Sequence, residues 1–250
     1  MSATAVATCA RGSDPAALAG QTVEQLAAAL GAQPVRAGVL YASGIASVGM
    51  ARALSELLPG VAVMGATTLD AGPSLSGFWL AGDVRAVVSQ RLRPEQGGRA
   101  LAEAAVARAG LRAFQTRLAI LHATQGEALL GPLFEVLPKG AAFVGTDVAE
   151  VWTEEGLAQD ALLVADWQSQ LAVGFEGAAQ ALAGQGLPPE SCVGILRLRT
   201  GPGEQTPAEL AHVPQTHALV RAVYGVPGRS PQAPATATLA FSNLKARAEV

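Results

Sequence analysis

The chain carries one apolar octapeptide twice, as RAGVLYAS at residues 36–43 and as RLAILHAT at residues 117–124. Each copy is a nearly continuous apolar run of strand length, which is typical of an interior strand buried on both faces. Each leads into an amphipathic helical pattern that stops at a Leu-Pro pair, at 58–59 and at 137–138. This shared order of strand, helix and helix stop predicts one structural module present twice.

The similarity continues past these helices. Short apolar strands are predicted at 61–65 and 141–145, and each opens into a loop that contains glycine, threonine and aspartate. Farther on, LAGD at residues 80–83 recurs as LAQD at residues 157–160 and heads an apolar strand in both copies. Four anchors in the same order favour a duplication over a chance likeness of two alanine-rich segments. The predicted unit is strand, helix, strand, loop and hairpin.

Local signals also place elements outside the repeat. An apolar strand at 3–9 is followed by Asp14, which suits the N-cap of a helix at 15–30 with proline at its first position. Gly31 supplies the positive φ of a helix stop. Two strands at 77–80 and 84–90 are predicted to pair as an antiparallel hairpin, and an alanine-rich helix follows at 95–111.

These elements predict an α/β fold, with α+β as the alternative, in which layered mixed sheets and helices are built from two repeated strand-helix-strand-hairpin modules. The main domain is expected at residues 1–175, with repeats at about 33–91 and 114–175. Residues 176–250 are expected to form a C-terminal extension that packs on the main domain and is partly flexible.

Within that extension, strands are predicted at 193–198 and 236–241 from their apolar runs. A helix is predicted near 208–224. These elements would extend or cover the sheet of the main domain.

The composition excludes several classes of protein. Half of the 250 residues are hydrophobic and 15% are charged, which is enough apolar surface to build a core and argues against disorder. Lys139 and Lys245 are the only lysines and the arginines are scattered, so we expect no nucleic-acid partner. No apolar run is long enough to span a bilayer, and we expect a cytoplasmic protein without a membrane partner.

Motifs for chemistry are few. The sequence has no nucleophile elbow, phosphate-binding loop or dinucleotide fingerprint, and we expect no cofactor. His212 and His217 lack the spacing of a helical metal pair, and we expect no metal site.

Polar side chains cluster where the repeated strands end, and strand ends of this kind usually border a ligand cleft. The candidate ligand-binding residues are Ser43, Thr67, Thr68, Asp70, His122, Thr124, Thr146 and Asp147. Their hydroxyls and carboxylates suit an amine or a hydroxylated solute. Turn formation and helix capping explain the same serine, threonine and aspartate residues as well, and core packing is the alternative for His122.

The chain resembles the N-terminal domain of the FIST family, sensory modules named for F-box proteins and intracellular signal transduction. The resemblance is carried by Gly12-Ser13-Asp14-Pro15, by Tyr41-Ala42-Ser43 and by Gly65-Ala66-Thr67-Thr68, and it covers roughly residues 8–175. Ala66, Leu69 and the single Gly145 depart from the family pattern. The resemblance implies a small-molecule sensor, with amino acids as candidate ligands, that acts on a signalling protein partner.

Three functions are therefore open. The first is a small-molecule-binding sensory domain in intracellular signalling that performs no catalysis. The second is an enzyme of unrecognised type, a hydrolase or transferase using the same loops, which requires His122 near a hydroxyl and a carboxylate in one pocket. The third is a structural protein-interaction module with a broad exposed apolar patch.

Overall fold

The structure is a computed structural model, and it describes residues 3–91, 97–112, 115–175, 177–201, 207–225 and 236–245. Within these ranges the chain forms three mixed β-sheets and five α-helices. The predicted α/β class, with layered mixed sheets and repeated modules, is confirmed. No helix in the described part is long and apolar enough to cross a membrane.

The helices are α1 (Pro15–Leu30), α2 (Ser47–Leu57), α3 (Gly98–Arg108), α4 (Glu127–Phe134) and α5 (Ala178–Gly184). The strands are β1 (Thr4–Arg11), β2 (Val35–Ser43), β3 (Ala62–Thr67), β4 (Ser74–Ala81), β5 (Ala86–Arg91), β6 (Leu118–Ala123), β7 (Ala142–Asp147), β8 (Val151–Thr153), β9 (Gly156–Ala158), β10 (Asp160–Ala165), β11 (Ser169–Gly174), β12 (Cys192–Arg199), β13 (Gln215–Leu219), β14 (Ala222–Tyr224) and β15 (Thr236–Lys245). Short 3-10 turns lie at Pro189–Ser191 and Ala208–Leu210.

The first helix begins and ends as the sequence predicts. The Asp14 carboxylate accepts a hydrogen bond from the Ala16 N–H at 3.1 Å, which is the expected N-cap contact. Gly31, with φ of 57°, ends the helix in a conformation that favours glycine.

The first sheet shows how one unit is built. β2 and β3 run parallel, with α2 between them in the chain. β4 returns antiparallel on the other side of β2, and β1 pairs antiparallel with β4. The strand order is β1-β4-β2-β3, so the unit includes β1 and α1 and begins earlier than the repeat predicted at about 33–91.

The second and third sheets repeat this order, as β5-β10-β6-β7 and β11-β15-β12-β13. In both, the third and fourth strands of this order are parallel and the other neighbours are antiparallel. The described part of the C-terminal extension therefore belongs to a third unit. That unit begins at Ser169, ahead of the boundary expected at 175.

Each unit also lends a segment to another sheet. β8 of the second unit pairs with β3, and β14 of the third unit pairs with β7. The first unit completes the series through Leu69, whose N–H donates to the Leu219 carbonyl of β13 at 2.9 Å. The three sheets are therefore joined cyclically.

Strand alternation divides the apolar side chains between two kinds of core. One face of every sheet packs into a shared interior core, where Val39, Ile120 and Leu196 are buried. The opposite faces are covered by α1 and α2, by α3 and α4, and by α5. The central strands are thus buried on both faces, which explains their continuous apolar sequences.

Two predicted elements differ from the structure. β4 and β5 are consecutive but do not pair as a hairpin, because β4 lies between β1 and β2 while β5 pairs with β10. The turn at Gly82 and Asp83 instead carries the chain from one unit to the next. The helix predicted near 208–224 is a 3-10 turn followed by two short strands, because Pro214 disfavours a helix and β13 finds its partner in the distant β12.

Candidate functional site

The eight predicted ligand-binding residues lie at the carboxyl ends of two parallel strand pairs, β2–β3 and β6–β7. They are Ser43, Thr67, Thr68 and Asp70 in the first unit, and His122, Thr124, Thr146 and Asp147 in the second. The register pairs Ala42 with Thr67 and Ala123 with Asp147, so Thr67 and Asp147 hold equivalent positions. The structure brings each group together in its own sheet.

In the first group, two hydroxyls bind the loop itself. Ser43 Oγ donates to the Asp70 carbonyl, and Thr68 Oγ1 donates to the Ala42 carbonyl at 3.4 Å. Both side chains are buried. These contacts are the turn-forming use of serine and threonine.

A second group of polar side chains, Ser47, Thr67 and Glu150, lies at the end of β3. Thr67 Oγ1 donates to Glu150 Oε2 at 3.2 Å, and the Ser47 hydroxyl at the start of α2 donates to the same oxygen. Trp152 of β8 is fully buried against Gly65, where a Cβ atom would lie 2.0 Å from the indole Cζ2. The tryptophan therefore occupies the space beside this strand pair.

Asp70 faces the third unit. Its Oδ2 accepts the Leu219 N–H at 3.0 Å, and its Oδ1 lies 3.8 Å from Arg199 Nη2. The carboxylate thus joins the first unit to the third sheet.

In the second group, His122 and Thr146 point into the interior core. Both are fully buried, and His122 Nδ1 lies 2.8 Å from Thr146 Oγ1. Burial lowers the pKa of His122 to about 4, so the ring is neutral near pH 7. The predicted ligand contacts of these two side chains do not fit their position, because alternate residues of a strand face opposite sides and this side is the core.

Thr124 joins β6 to β10. Its N–H donates to Asp160 Oδ1 at 3.3 Å, and its hydroxyl donates to the Gln159 carbonyl at 3.4 Å. Asp160 is fully buried and forms an ion pair with Arg91. Thr124 therefore supports the packing of the second sheet.

Asp147, one of the predicted residues, lines an open cleft. The cleft has a volume of about 480 Å³ and is lined by Gln125, Glu127, Ala128, Asp147 and Tyr224. It lies where the first residues of α4 meet the edge strand β14. The cleft is therefore formed jointly by the second and third units.

The Asp147 carboxylate is held by one donor on each oxygen. Oδ1 accepts the Gly126 N–H at 2.6 Å, and Oδ2 accepts the Tyr224 hydroxyl at 2.7 Å. Burial raises the pKa of Tyr224 well above its ordinary value, and the hydrogen bond to Asp147 raises it further. The phenol therefore keeps its proton and acts as a donor.

Four lining residues, Gln125, Glu127, Ala128 and Tyr224, are outside the predicted set. Tyr224 stands in a segment predicted to be helical, although Val223-Tyr224 matches Val151-Trp152 in residue type and in strand pairing. This match to a third copy of the unit is the sequence signal that identifies Tyr224.

The described ranges contain no group of three or more histidine, cysteine, aspartate and glutamate side chains that could hold a metal ion.

Comparison with known proteins finds similarity to solved structures. No family model and no curated protein matches the chain. The chain is similar to the crystal structure of cyanuric acid hydrolase from A. caulinodans, with a TM-score of 0.47, 12% identity, and coverage of 96% of this chain and 99% of that one. Another cyanuric acid hydrolase structure matches with a TM-score of 0.47, 10% identity, and coverage of 97% and 100%. The resemblance to the FIST family stays a prediction.

Proposed function

We propose that the chain is a ligand-binding domain that performs no catalysis and takes a small molecule with an amino group into the cleft between its second and third units. The observation that best supports this proposal is the Asp147 carboxylate, which is fixed by two donors at an open cleft. A fixed carboxylate can receive an ammonium group with little reorganisation.

The charge of the cleft favours a cation. Asp147 and Glu127 are its two charged lining residues, and after burial and the Asp147 hydrogen bond the negative charge of each raises the pKa of Tyr224. The carboxylates lie at the N-terminus of α4, where the helix dipole stabilises negative charge. Each Asp147 oxygen accepts one hydrogen bond from the described residues and retains a lone pair for a ligand donor.

The size of the cleft suits a small molecule. Its volume of about 480 Å³ falls within the roughly 300–1,000 Å³ common for such sites. The Gln125 amide offers further polar contacts, and the Tyr224 ring offers an apolar one. Amino acids and small diamines are therefore the candidate ligands, and a signalling partner that reads the occupied cleft remains part of the proposal.

The chemistry of the lining residues supports binding without catalysis. Tyr224 keeps its proton and is a poor base, because its pKa is raised. His122 has a hydroxyl partner in Thr146, but its ring is fully buried and lies outside the cleft. The condition for the hydrolase or transferase alternative is therefore only half met.

Isothermal titration calorimetry with lysine, alanine and putrescine tests the proposal. We expect saturable binding of at least one amine, and no binding of the same compound acetylated at every amino group, which has no ammonium charge. Asp147→Asn removes the charge but keeps an acceptor for Gly126, and we expect it to weaken binding about tenfold or more.

Glu135→Gln is the matched control, since it removes one charge at the far end of α4 without touching the cleft. Equal weakening in both variants would contradict the proposal. So would equal affinity for an amine and its acetylated form.

A further inference from the structure

The cleft beside α4 has two acidic lining residues and, among the described residues, no basic one. Its lining consists of Gln125, Glu127, Ala128, Asp147 and Tyr224. Neither carboxylate forms an ion pair with a basic side chain of the described ranges. The cleft therefore favours positive groups on a ligand and offers no basic partner to a negative one.

The equivalent place between the first two units shows how a carboxylate is satisfied there. Glu150 Oε2 accepts a hydrogen bond from the Ser47 hydroxyl and another, at 3.2 Å, from the Thr67 hydroxyl. We call this group of Ser47, Thr67 and Glu150 the first junction. Two hydroxyl donors of the protein hold its one carboxylate.

Neither hydroxyl has a counterpart at the cleft. Asp147 holds the position of Thr67 in the strand register. Ala128 follows its octapeptide at the same count as Ser47 follows the first one. A carboxylate and a methyl group thus stand where the first junction has two donors, so a ligand at the cleft meets acceptors that need donors.

The Glu150 side chain also has no counterpart, which leaves space. β14 pairs with β7 in the register that β8 uses on β3, and in this register Ala222 takes the place of Glu150. The alanine side chain is too short to reach the strand end as Glu150 does. The cleft of about 480 Å³ therefore lies open where protein side chains fill the first junction.

Asp147 and Glu127 are both close enough to Tyr224 for their charges to act on it. Burial raises the pKa of Tyr224 most, followed by the hydrogen bond to Asp147 and then by the charges of Asp147 and Glu127. Asp147 is the last residue of β7, and Glu127 is the first residue of α4. The two carboxylates thus come from different elements and lie within reach of one short ligand.

We propose that the cleft selects a linear diamine, with one ammonium group on Asp147 and the other on Glu127. The inference rests on the proposed amine cleft and adds the charge at the far end of the ligand. Ammonium groups bring the N–H donors that the cleft lacks. The Tyr224 ring and the Ala128 methyl group offer apolar contacts to the carbon chain. An amino acid fits less well, because its carboxylate would meet two negative charges and no basic partner.

The two carboxylates contribute unequally. Asp147 is half-buried and held by two donors, so it fixes the first ammonium group. Glu127 is exposed. Because exposed ion pairs are weak and screened by salt, we expect the second contact to tighten binding about two- to fivefold.

Isothermal titration calorimetry of the whole chain at low ionic strength, with ligands of one chain length, tests this selection. Putrescine ends in a second ammonium group, ω-aminobutanol in a neutral hydroxyl and ω-aminobutyrate in a carboxylate. We expect putrescine to bind at least about fourfold tighter than ω-aminobutanol. About twofold of this preference arises because either end of the diamine can occupy Asp147. ω-Aminobutyrate should bind weakest.

Glu127→Gln should reduce the preference for putrescine to the factor of about two that its equivalent ends supply. Glu135→Gln is the matched control, since it removes a charge at the far end of α4 and should keep the full preference. Asp147→Asn should weaken putrescine and ω-aminobutanol alike, by about tenfold or more. Because Glu127 is exposed, Glu127→Gln should keep the circular dichroism spectrum of the wild type.

Failure of this inference and failure of the amine cleft give different results. If putrescine and ω-aminobutanol bind within about twofold of each other, the diamine preference is overturned and the amine cleft stands. A preference that survives Glu127→Gln as well as Glu135→Gln also overturns it, because the second contact is then elsewhere. Tighter binding of ω-aminobutyrate than of putrescine overturns it in favour of an amino acid. Binding of none of these ligands overturns the amine cleft, and the diamine preference with it.

Discussion

Tyr41 and His122 meet edge to face in the interior core, with ring centroids 5.1 Å apart. They hold the same position in the two copies of the apolar octapeptide, on β2 and on β6. The Tyr41 hydroxyl and His122 Nε2 are buried and have no hydrogen-bond partner among the described residues. The core thus contains two polar atoms whose loss of water is not offset by the described chain.

The first prediction concerns the stability of the protein at acidic pH. The unfolded His122 has its ordinary pKa of 6.5, while burial holds the native pKa at about 4. Between these values the unfolded state binds more protons, so the free energy of unfolding decreases as the pH falls, by up to about 1.4 kcal/mol per pH unit. Urea unfolding at a series of pH values measures this slope.

His122→Gln should remove this contribution to the slope. His212→Gln should leave it in place, because His212 is exposed. Parallel curves for the wild type and His122→Gln would contradict the assignment.

The second prediction concerns the Tyr41 hydroxyl. Tyr41→Phe removes a buried polar atom without a described partner, so we expect the free energy of unfolding to stay unchanged or to rise by up to about 1 kcal/mol. Thr146→Val is the contrasting variant, because it removes the hydroxyl bound to His122 Nδ1 and should cost about 1–3 kcal/mol. A larger loss in Tyr41→Phe than in Thr146→Val would show that the phenol has a partner.

The central strands of the first two units could be predicted because burial on both faces makes residues 36–43 and 117–124 apolar. The third copy, VGILRLRT at 193–200, is harder to recognise, since Arg197 and Arg199 interrupt its apolar run. Pairing between strands that are far apart in the sequence was also beyond local patterns. The partner of β5 is β10, and turn residues at Gly82 say nothing about a partner that remote.

In the candidate site, too, some features follow from local sequence and others depend on contacts between remote parts of the chain. Asp147 follows from its place after a repeated strand, which is a local signal. The sequence does not show that His122 points into the core while Asp147 reaches the cleft. Which side of a strand faces the helices depends on packing. Tyr224 comes from another unit, so its contact with Asp147 is visible only once the units are joined.

The third prediction concerns the contact between the first two units. Gly65→Ala would place a Cβ atom 2.0 Å from the fully buried Trp152, and we expect a loss of at least about 2 kcal/mol in the free energy of unfolding. Gly20→Ala is the matched control. Gly20 lies in α1 with open space around its Cβ position, so the added methyl should stabilise the chain by about 0.5–1 kcal/mol. Equal effects of the two substitutions would contradict the close packing of Trp152.

The fourth prediction concerns the buried ion pair between β5 and β10. Asp160 is fully buried, the Arg91 side chain is 11% exposed, and burial raises the pKa of Asp160 while Arg91 lowers it. Asp160→Ala leaves the Arg91 charge in the protein without this carboxylate, so we expect a loss of about 3–5 kcal/mol in denaturant unfolding. Glu56→Ala breaks an exposed pair with Arg52 and should cost less than about 1 kcal/mol.

The double variant Asp160→Leu with Arg91→Met distinguishes two contributions to the free energy of unfolding. One is the cost of burying Arg91 without the Asp160 carboxylate, and the other is the net stabilisation by the ion pair. The double variant removes both charges and fills the space with apolar atoms, so we expect it to recover most of the stability that Asp160→Ala loses. A double variant as unstable as Asp160→Ala would mean that the pair itself, through the Thr124 N–H that donates to Asp160 Oδ1 at 3.3 Å, holds β6, β10 and β5 in register.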